Sequence, residues 1–376
     1  MNIKRIKAIA NKEFIQIWRD PRSLGLGLVI PMILIILFGY ALSLDIDHVP
    51  MVIWDQDKSK ASTDFILNFK NSNYFNVKAY YDNYRDLERD INFGDAIMAM
   101  VIPKDFSHYM HSSQPAPVQL ILDGSDSNTA TVALGYVQSI VYGYNVNIIT
   151  QALQAKGAPP VTIVDFRPRI WFNQNLESKN FIVPGLIAII IMIIASLLTS
   201  LTVAREWERG TMEQLISTPI RPAELIIGKF IPYFAIGFFD LVVAVLMGKF
   251  VFTVPLEGSI LLLFILSCLF LTGALGMGIS ISTVAKNQLM ASQMAILASF
   301  LPTFLLSGFT YEIFNMPKVV QAFTYLIPAR YFITILRGIY LKGVGLDSLW
   351  FESLCLVIFT YVAAGAAIKK FKKKIL

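Results

Sequence analysis

Apolar residues gather in six long runs, about 24–44, 181–204, 224–252, 259–284, 289–311 and 348–368. Each reaches the roughly 20 residues that an α-helix needs to cross the hydrocarbon core of a bilayer. A segment ahead of the first run has a different rhythm. Ile6, Ile9, Ala10, Phe14 and Ile17 share one side of a helix over 3–18, with lysines elsewhere, the pattern of a helix lying in a membrane interface. Pro21 then breaks it. Between the first two runs, β-branched and alternating stretches near 49–54, 74–80, 95–102, 117–122 and 161–170 read as strands. Helical spacing falls near 59–70, 83–92 and 103–112. A longer helix covers 128–155, where Gln138, Asn145, Asn147, Thr150 and Gln151 interrupt the apolar residues. Strands alternating with helices predict an α/β domain with a mixed sheet. Asp123-Gly124-Ser125-Asp126 reads as the turn into the long helix, with Ser125 or Asp126 as its N-cap.

One more apolar stretch, 316–343, contains Pro328, Arg330 and Arg337, which make a clean crossing costly. It reads as two short helices that dip into the outer leaflet and return, with Pro317 and Pro328 each just inside a helix start. The expected fold is therefore an α-helical polytopic membrane protein with six transmembrane helices and an inserted extracytoplasmic α/β domain. Its parts are an amphipathic connector over 1–22, a first span over 23–44, the α/β domain over 45–176 and a five-helix membrane region over 177–376. The last includes re-entrant helices over 312–346.

The segment 205–219, Arg-Glu-Trp-Glu-Arg-Gly-Thr-Met-Glu-Gln-Leu-Ile-Ser-Thr-Pro, is charged and wedged between two spans. Thr211 and Gln214 fit a capping box, Met212, Leu215 and Ile216 share a face, and Pro219 stops the helix. An amphipathic element there is either a docking surface for a soluble partner or a solvated loop of basic character.

Charge settles the orientation expected of these runs. Lys4, Arg5, Lys7, Lys12, Arg19 and Arg22 precede the first span, and Lys369, Lys370, Lys372, Lys373 and Lys374 follow the last. Arg205, Arg209, Arg221 and Lys286 fall on the same side in a six-span topology. Both termini are expected in the cytoplasm. Residues 45–176 hold 14 acidic and 10 basic side chains, so the basic surplus flanks the spans. Nucleic-acid binding would need that surplus on one folded face. The first span has too long a basic region and too long an apolar run for a cleaved signal peptide. Two cysteines, Cys268 and Cys355, allow no disulfide framework or zinc spacing, and His108 and His111 read as a solvated helix face.

Asp240 lies mid-span in Gly-Phe-Phe-Asp-Leu-Val-Val. At that depth a carboxylate must be paired, protonated or facing water, so it lines a substrate or proton path or glues helices through a hydrogen bond. Lys229 and Lys249 lie near the ends of the same helix, where they are expected to snorkel to the interfaces. Pro31, Pro184, Pro232 and Pro302 fall inside spans and permit kinks. Ala274/Gly278 and Gly276/Ser280 are small-xxx-small pairs for close helix packing. No catalytic elbow or metalloprotease motif occurs. Gly228-Lys229-Phe230 is no phosphate loop, since no glycine lies five residues before Gly228 and no Ser or Thr follows Lys229. The chain is expected to catalyse nothing and to bind no cofactor or metal.

Taken together, Arg205–Pro219 continuing through Ile227-Gly-Lys229 resembles the coupling region of ABC-2-type transporter permeases. So do Leu306-Ser-Gly-Phe-Thr-Tyr-Glu-Ile-Phe-Asn-Met-Pro317, Leu326-Ile-Pro-Ala-Arg-Tyr331 and Leu336-Arg-Gly338. Val49–Asp57 and Val118–Gly124 match the insertion of larger bacterial drug-export-like members, and Glu312 departs from a common proline. The resemblance covers essentially the whole chain. It implies a permease subunit of an ATP-driven exporter in the bacterial cytoplasmic membrane, moving an amphipathic, drug-like or lipid-like compound. It also implies a cytoplasmic ATPase partner that carries ATP and Mg, and a second permease protomer. Membrane lipids, and a periplasmic adaptor for the insertion, complete the expected partners. Carried onto this chain, the ATPase contacts fall on Glu206, Glu208, Arg209, Gly210, Thr211, Glu213 and Gln214, beside the 3–18 helix. The other classes weighed are a secondary transporter, proton-coupled through Asp240, and a membrane-anchored ligand sensor. The absence of a half-to-half repeat weakens the former, and six spans exceed what the latter needs.

Overall fold

The computed structural model describes residues 1–41, 48–112, 114–155, 171–173 and 177–371. The chain divides into two units, one formed by Met1–Ser43 with Ile170–Leu376 and the other by Leu44–Arg169.

Helix α1, Ile3–Trp18, begins where the Asn2 side chain accepts from the Lys4 backbone N–H. Its buried positions are Ile9, Glu13 and Ile17, one side of a helix at i, i+4 and i+8. Phe14, expected on that face, is exposed, and a carboxylate takes the place foreseen for apolar packing. After a short break, α2 (Pro21–Leu24), a π-helical turn (Gly25–Val29) and α3 (Ile30–Ala41) run on from one another. Pro21 opens this helix, where its missing N–H costs nothing. The apolar part, Gly27–Ala41, is shorter than the other long apolar helices. The end of the expected first span, 42–44, lies outside the described residues.

Among the described residues, the second unit holds a four-stranded sheet in the order β2-β1-β3-β4. Its elements are β1 (Val49–Asp55), α4 (Lys60–Lys70), β2 (Phe75–Tyr80), α5 (Tyr84–Asn92), β3 (Met98–Ile102), α6 (Phe106–His111), β4 (Gln119–Leu122) and α7 (Ser127–Ala155). Strand β1 runs parallel to β2 and β3, and β3 antiparallel to β4. Alternation sorts the side chains. Met51, Ile53, Met98 and Met100 pack with Phe65, Phe69 and Phe106 on one face. Val52, Ala99 and Val101 pack with Leu87 on the other. With both faces covered, β3 is buried throughout, which explains its continuous apolar run. The turn before α7 is held by the Ser125 backbone N–H donating to Asp123 at 2.9 Å, and that bond keeps the Asp123 carboxyl below its ordinary pKa. The strand expected near 161–170 lies outside the described residues.

The first unit resumes with α8 (Ser178–Glu208), α9 (Thr211–Ser217), α10 (Pro222–Phe250), α11 (Ile260–Ala285), α12 (Gln288–Ala295) and α13 (Leu301–Leu306). Then follow α14 (Lys318–Thr324), α15 (Pro328–Arg337) and α16 (Leu346–Lys370). Among the described residues, five helices are long and apolar enough to cross a bilayer: α8, α10, α11, α16 and the Gln288–Leu306 rod that joins α12 to α13. The small residues of α11 serve two neighbours. A Cβ on Gly278 would strike Thr199 and Ser196 of α8, and one on Gly276 would meet the Ala363 backbone of α16 at 3.1 Å. Helix α14 and the continuation of α15 to Lys342 meet at 83°. Pro328 is in the first turn of α15, whereas Pro317 stands one step outside α14 as its N-cap. Phe332 of α15 stacks on Phe270 of α11 at 4.1 Å. The arginines that argued against a crossing find aromatic faces, Arg337 over Phe181 at 3.4 Å and Arg330 over Tyr325 at 3.9 Å.

Candidate functional site

At the Glu208 end of α8, four elements converge on a buried polar cluster. Helix α1 lies tight against α10 because residue 228 is glycine. A Cβ there would sit 2.7 Å from the Ile9 Cβ and 3.2 Å from the Ile6 carbonyl oxygen. That approach brings Glu13 of α1 to the next residue of α10. The Lys229 ammonium contacts the Glu13 carboxylate at 2.5 Å and the Glu206 carboxylate at 3.3 Å. Lys12 closes on Glu206 from the other side at 2.6 Å. Thr211, the first residue of α9, donates its hydroxyl to Glu206. Glu13, Glu206 and Lys229 are 2%, 3% and 1% exposed. Two carboxylates and two ammonium groups balance. Burying charge on this scale is tolerated only when every charge is paired and hydrogen-bonded.

Lys229 therefore does not snorkel as expected: its ammonium turns inward because two carboxylates await it there. Lys249, at the other end of α10, is exposed. The amphipathic pattern of α1 missed Glu13 for a related reason. Apolar periodicity treats every carboxylate as a surface residue, although Glu13 lies between Ile9 and Ile17 on the same helical side. An acid between two apolar positions at spacing four was the available signal.

The 205–219 segment is structured but not as a capping box. Helix α8 runs on to Glu208, and Gly210 turns the chain in the left-handed region with φ of 69°. It thereby takes the N-cap place of α9 that Thr211 was expected to fill. Thr211 is drawn back to Glu206 instead, a stronger acceptor than a neutral side chain. Met212 is fully buried against Ile9, Val203, Leu225, Ile226 and Ile279, with Leu215 half-buried beside it. The apolar side of α9 is seated on the middle of α1 and the ends of α8, α10 and α11. Outward stand Glu208, Arg209, Glu213 and Gln214. Glu206 and Thr211 are exceptions among the expected contact residues, since they are bonded to each other in the buried cluster.

Flanking bonds tie this end together. Glu224 accepts from the Asn2 and Arg221 backbone N–H groups at 2.7 and 3.1 Å. Arg205 reaches Asp20 at 3.5 Å and donates to Gln288 at 3.4 Å, and Gln288 donates onward to Glu208. Lys286 stands 4.9 Å from the Trp207 ring centre.

Asp240 belongs to none of this. It lies eleven residues further along α10, roughly 16 Å at 1.5 Å per residue, and is 5% exposed. Among the described residues neither carboxylate oxygen has a hydrogen-bond partner. A helix-bridging hydrogen bond, one of the two roles expected for it, does not form within the described chain.

Comparison with known proteins agrees with this architecture. The family described as ABC-2 family transporter protein matches residues 21–369. The chain is 41% identical over 341 residues to the probable multidrug ABC transporter permease YbhS of Escherichia coli (strain K12), covering 90% of this chain and 89% of that protein. It is 30% identical over 372 residues to the probable multidrug ABC transporter permease YbhR of the same organism, 99% of each chain. It is 28% identical over 359 residues to the inner membrane transport permease YhhJ of that strain, 92% of this chain and 93% of that one.

Proposed function

Because the chain belongs to the ABC-2 family of transporter proteins, and is accordingly a multi-pass membrane protein, we propose that it is the membrane-spanning subunit of an exporter driven by a separate ATPase chain. The observation that carries this reading is the seating of α9. Its apolar side is packed on four helices through Met212, and its first residue is bonded to the Glu206 cluster, while Glu208, Arg209, Glu213 and Gln214 face outward. Such an element can take a push from a soluble partner and deliver it without bending. Because Glu206 ties α1, α8, α9 and α10 together, displacement of α9 would carry all four. Switching between inward-open and outward-open arrangements requires a rigid lever of this kind. Binding of ATP and Mg belongs to the partner. Lys229, the lysine nearest to a phosphate-loop pattern, has its ammonium engaged by two carboxylates.

In this reading α9 and both termini face the cytoplasm of a bacterial cell, and the α/β unit stands outside the inner membrane. Two protomers enclose the path, meeting along the first and fifth spans, whose Ile33, Leu37, Leu297 and Leu301 are exposed apolar residues. The multidrug names of the E. coli relatives support an amphipathic cargo, with Asp240 lining its path.

Co-purification with the partner ATPase, followed by reconstitution in liposomes, tests the proposal. ATP-dependent efflux of an amphipathic dye is expected only when both chains are present. Efflux by this chain alone, driven by an imposed pH gradient, would overturn it in favour of proton coupling through Asp240.

A further inference from the structure

At the other end of α8, roughly 40 Å from Glu206 at 1.5 Å per residue, lies a cavity of about 610 Å³. Its lining includes Phe172, Asn173, Glu177, Asn180, Glu257 and Lys342. That volume falls within the range of small-molecule sites, roughly 300–1,000 Å³.

The hydrogen bonds of two asparagines decide its chemistry. Asn173, with a left-handed φ of 56°, accepts from the Glu177 backbone N–H at 3.1 Å and donates to the Glu177 carbonyl at 2.9 Å. Those two bonds distinguish its amide oxygen from its nitrogen. Asn180 must then turn its nitrogen toward the Asn173 oxygen, at 2.7 Å, with the Glu177 carboxylate at 3.4 Å. The Asn180 amide oxygen is what remains. Asn180 is 5% exposed, and this acceptor has no hydrogen-bond partner among the described residues. A buried acceptor in that condition calls for an N–H or O–H donor.

The charges around it narrow the donor. Glu177 is paired with Lys179 at 3.2 Å. Glu257 has its backbone N–H fixed on the Tyr340 carbonyl at 3.0 Å. Among the described residues its carboxylate forms no ion pair, and neither does Lys342, whose ammonium stands 5.9 Å from the Phe172 ring centre. An unpaired carboxylate and an orphaned amide acceptor in one cavity suit a group with several N–H donors and a positive charge. Lys342 suits an anionic group on the same molecule.

We infer that this cavity binds the primary-ammonium head group of an amphipathic molecule. Asn180 and Glu257 accept its N–H bonds, and Lys342 faces any anionic part. The head group comes either from an aminophospholipid or from a soluble amine-bearing amphiphile. Binding needs neither ATP nor a partner chain, so the inference stands or falls separately from the proposed function.

The test uses the full-length chain in phosphatidylcholine nanodiscs, with decylammonium and decyltrimethylammonium as probes below their micellar concentrations. The two share a tail and a charge, but only the first has N–H donors. Decylammonium is expected to bind at least tenfold more tightly. The exposed substitution Glu257→Gln should remove most of that preference without affecting folding, and Asn180→Leu should do so too, its melting curve reporting whether α8 still starts correctly. Replacing a third of the lipid with phosphatidylethanolamine identifies the source. A several-fold fall in decylammonium affinity upholds the site with a lipid occupant, and no fall upholds it with a soluble one. Equal affinity for the two probes, or a preference that survives in Glu257→Gln, overturns it.

Discussion

Glu206 at the end of α8 and Asp240 within α10 are both almost fully buried, at 3% and 5% exposure, yet their surroundings differ in kind. Glu206 is met by two ammonium groups and a hydroxyl, drawn from three other elements. Asp240 is met by no hydrogen-bond donor among the described residues. A buried charge with a full set of partners is a joint, because it holds only while the elements that supply those partners stay in register. A buried carboxylate without partners invites a proton, water or cargo to complete it. In the proposed function, the first kind would transmit motion and the second would respond to what passes.

Removing the cation from the cluster should break this contrast most severely. Lys229→Met leaves Glu13 and Glu206 buried without their shared ammonium, and losing one partner of a buried pair typically costs about 3–5 kcal/mol. A melting temperature many degrees below wild type is expected, or loss of the monodisperse species. Adding Glu13→Gln and Glu206→Gln to the same chain should recover most of it, because the uncompensated charge is then gone. A Lys229→Met protein that melts like wild type would show that the cluster is not a joint.

Gly210→Val acts on the hinge rather than the joint. A β-branched residue held at φ of 69° carries strain on the order of 1–3 kcal/mol. Stimulation of the partner ATPase is expected to fall sharply while membrane insertion is unchanged. Gly210→Asn should be milder, since asparagine tolerates the left-handed region.

For Asp240→Asn the comparison predicts a dissociation between stability and transport. With no hydrogen bond to lose, the neutral amide should leave the melting temperature unchanged or raised, while efflux rates change. Wild-type efflux together with a lowered melting temperature would make Asp240 a structural residue after all.

The smallest effect is expected on the outward face of α9. Glu208→Lys combined with Glu213→Lys should reduce ATPase stimulation, while each single change is nearly silent, since an exposed ion pair contributes under about 1 kcal/mol. Full stimulation in the double variant would remove this face from the docking surface.

Much of the architecture was legible along the chain because it is local. Helix Ile3–Trp18 followed from its period, β1 and β3 from β-branched and alternating stretches, and the start of α15 from Pro328. The left-handed turn before α9 was legible in a glycine placed between two charged segments. The 205–219 segment drew attention through its charge, and Asp240 through its depth in an apolar run. Which way each side chain turned was less accessible. Thr211 carries the signature of a cap and bonds to Glu206 instead, and Phe14 carries the apolar pattern yet yields its place to Glu13.

By itself, the order of residues determined the helices, the sheet strands, the breaks between them and the sites where charge meets apolar surface. These depend on neighbours within a turn or two of backbone. Tertiary structure alone decided that Lys229 turns inward and that Glu206 joins helices rather than facing a partner. The ion pairs responsible link residues 23 and 216 positions apart. The longer link, from Lys229 to Glu13, depends on Gly228, which lets α1 lie close against α10. The energy of a buried charge depends on what stands within a few ångströms of it, and periodicity along one chain carries no record of that.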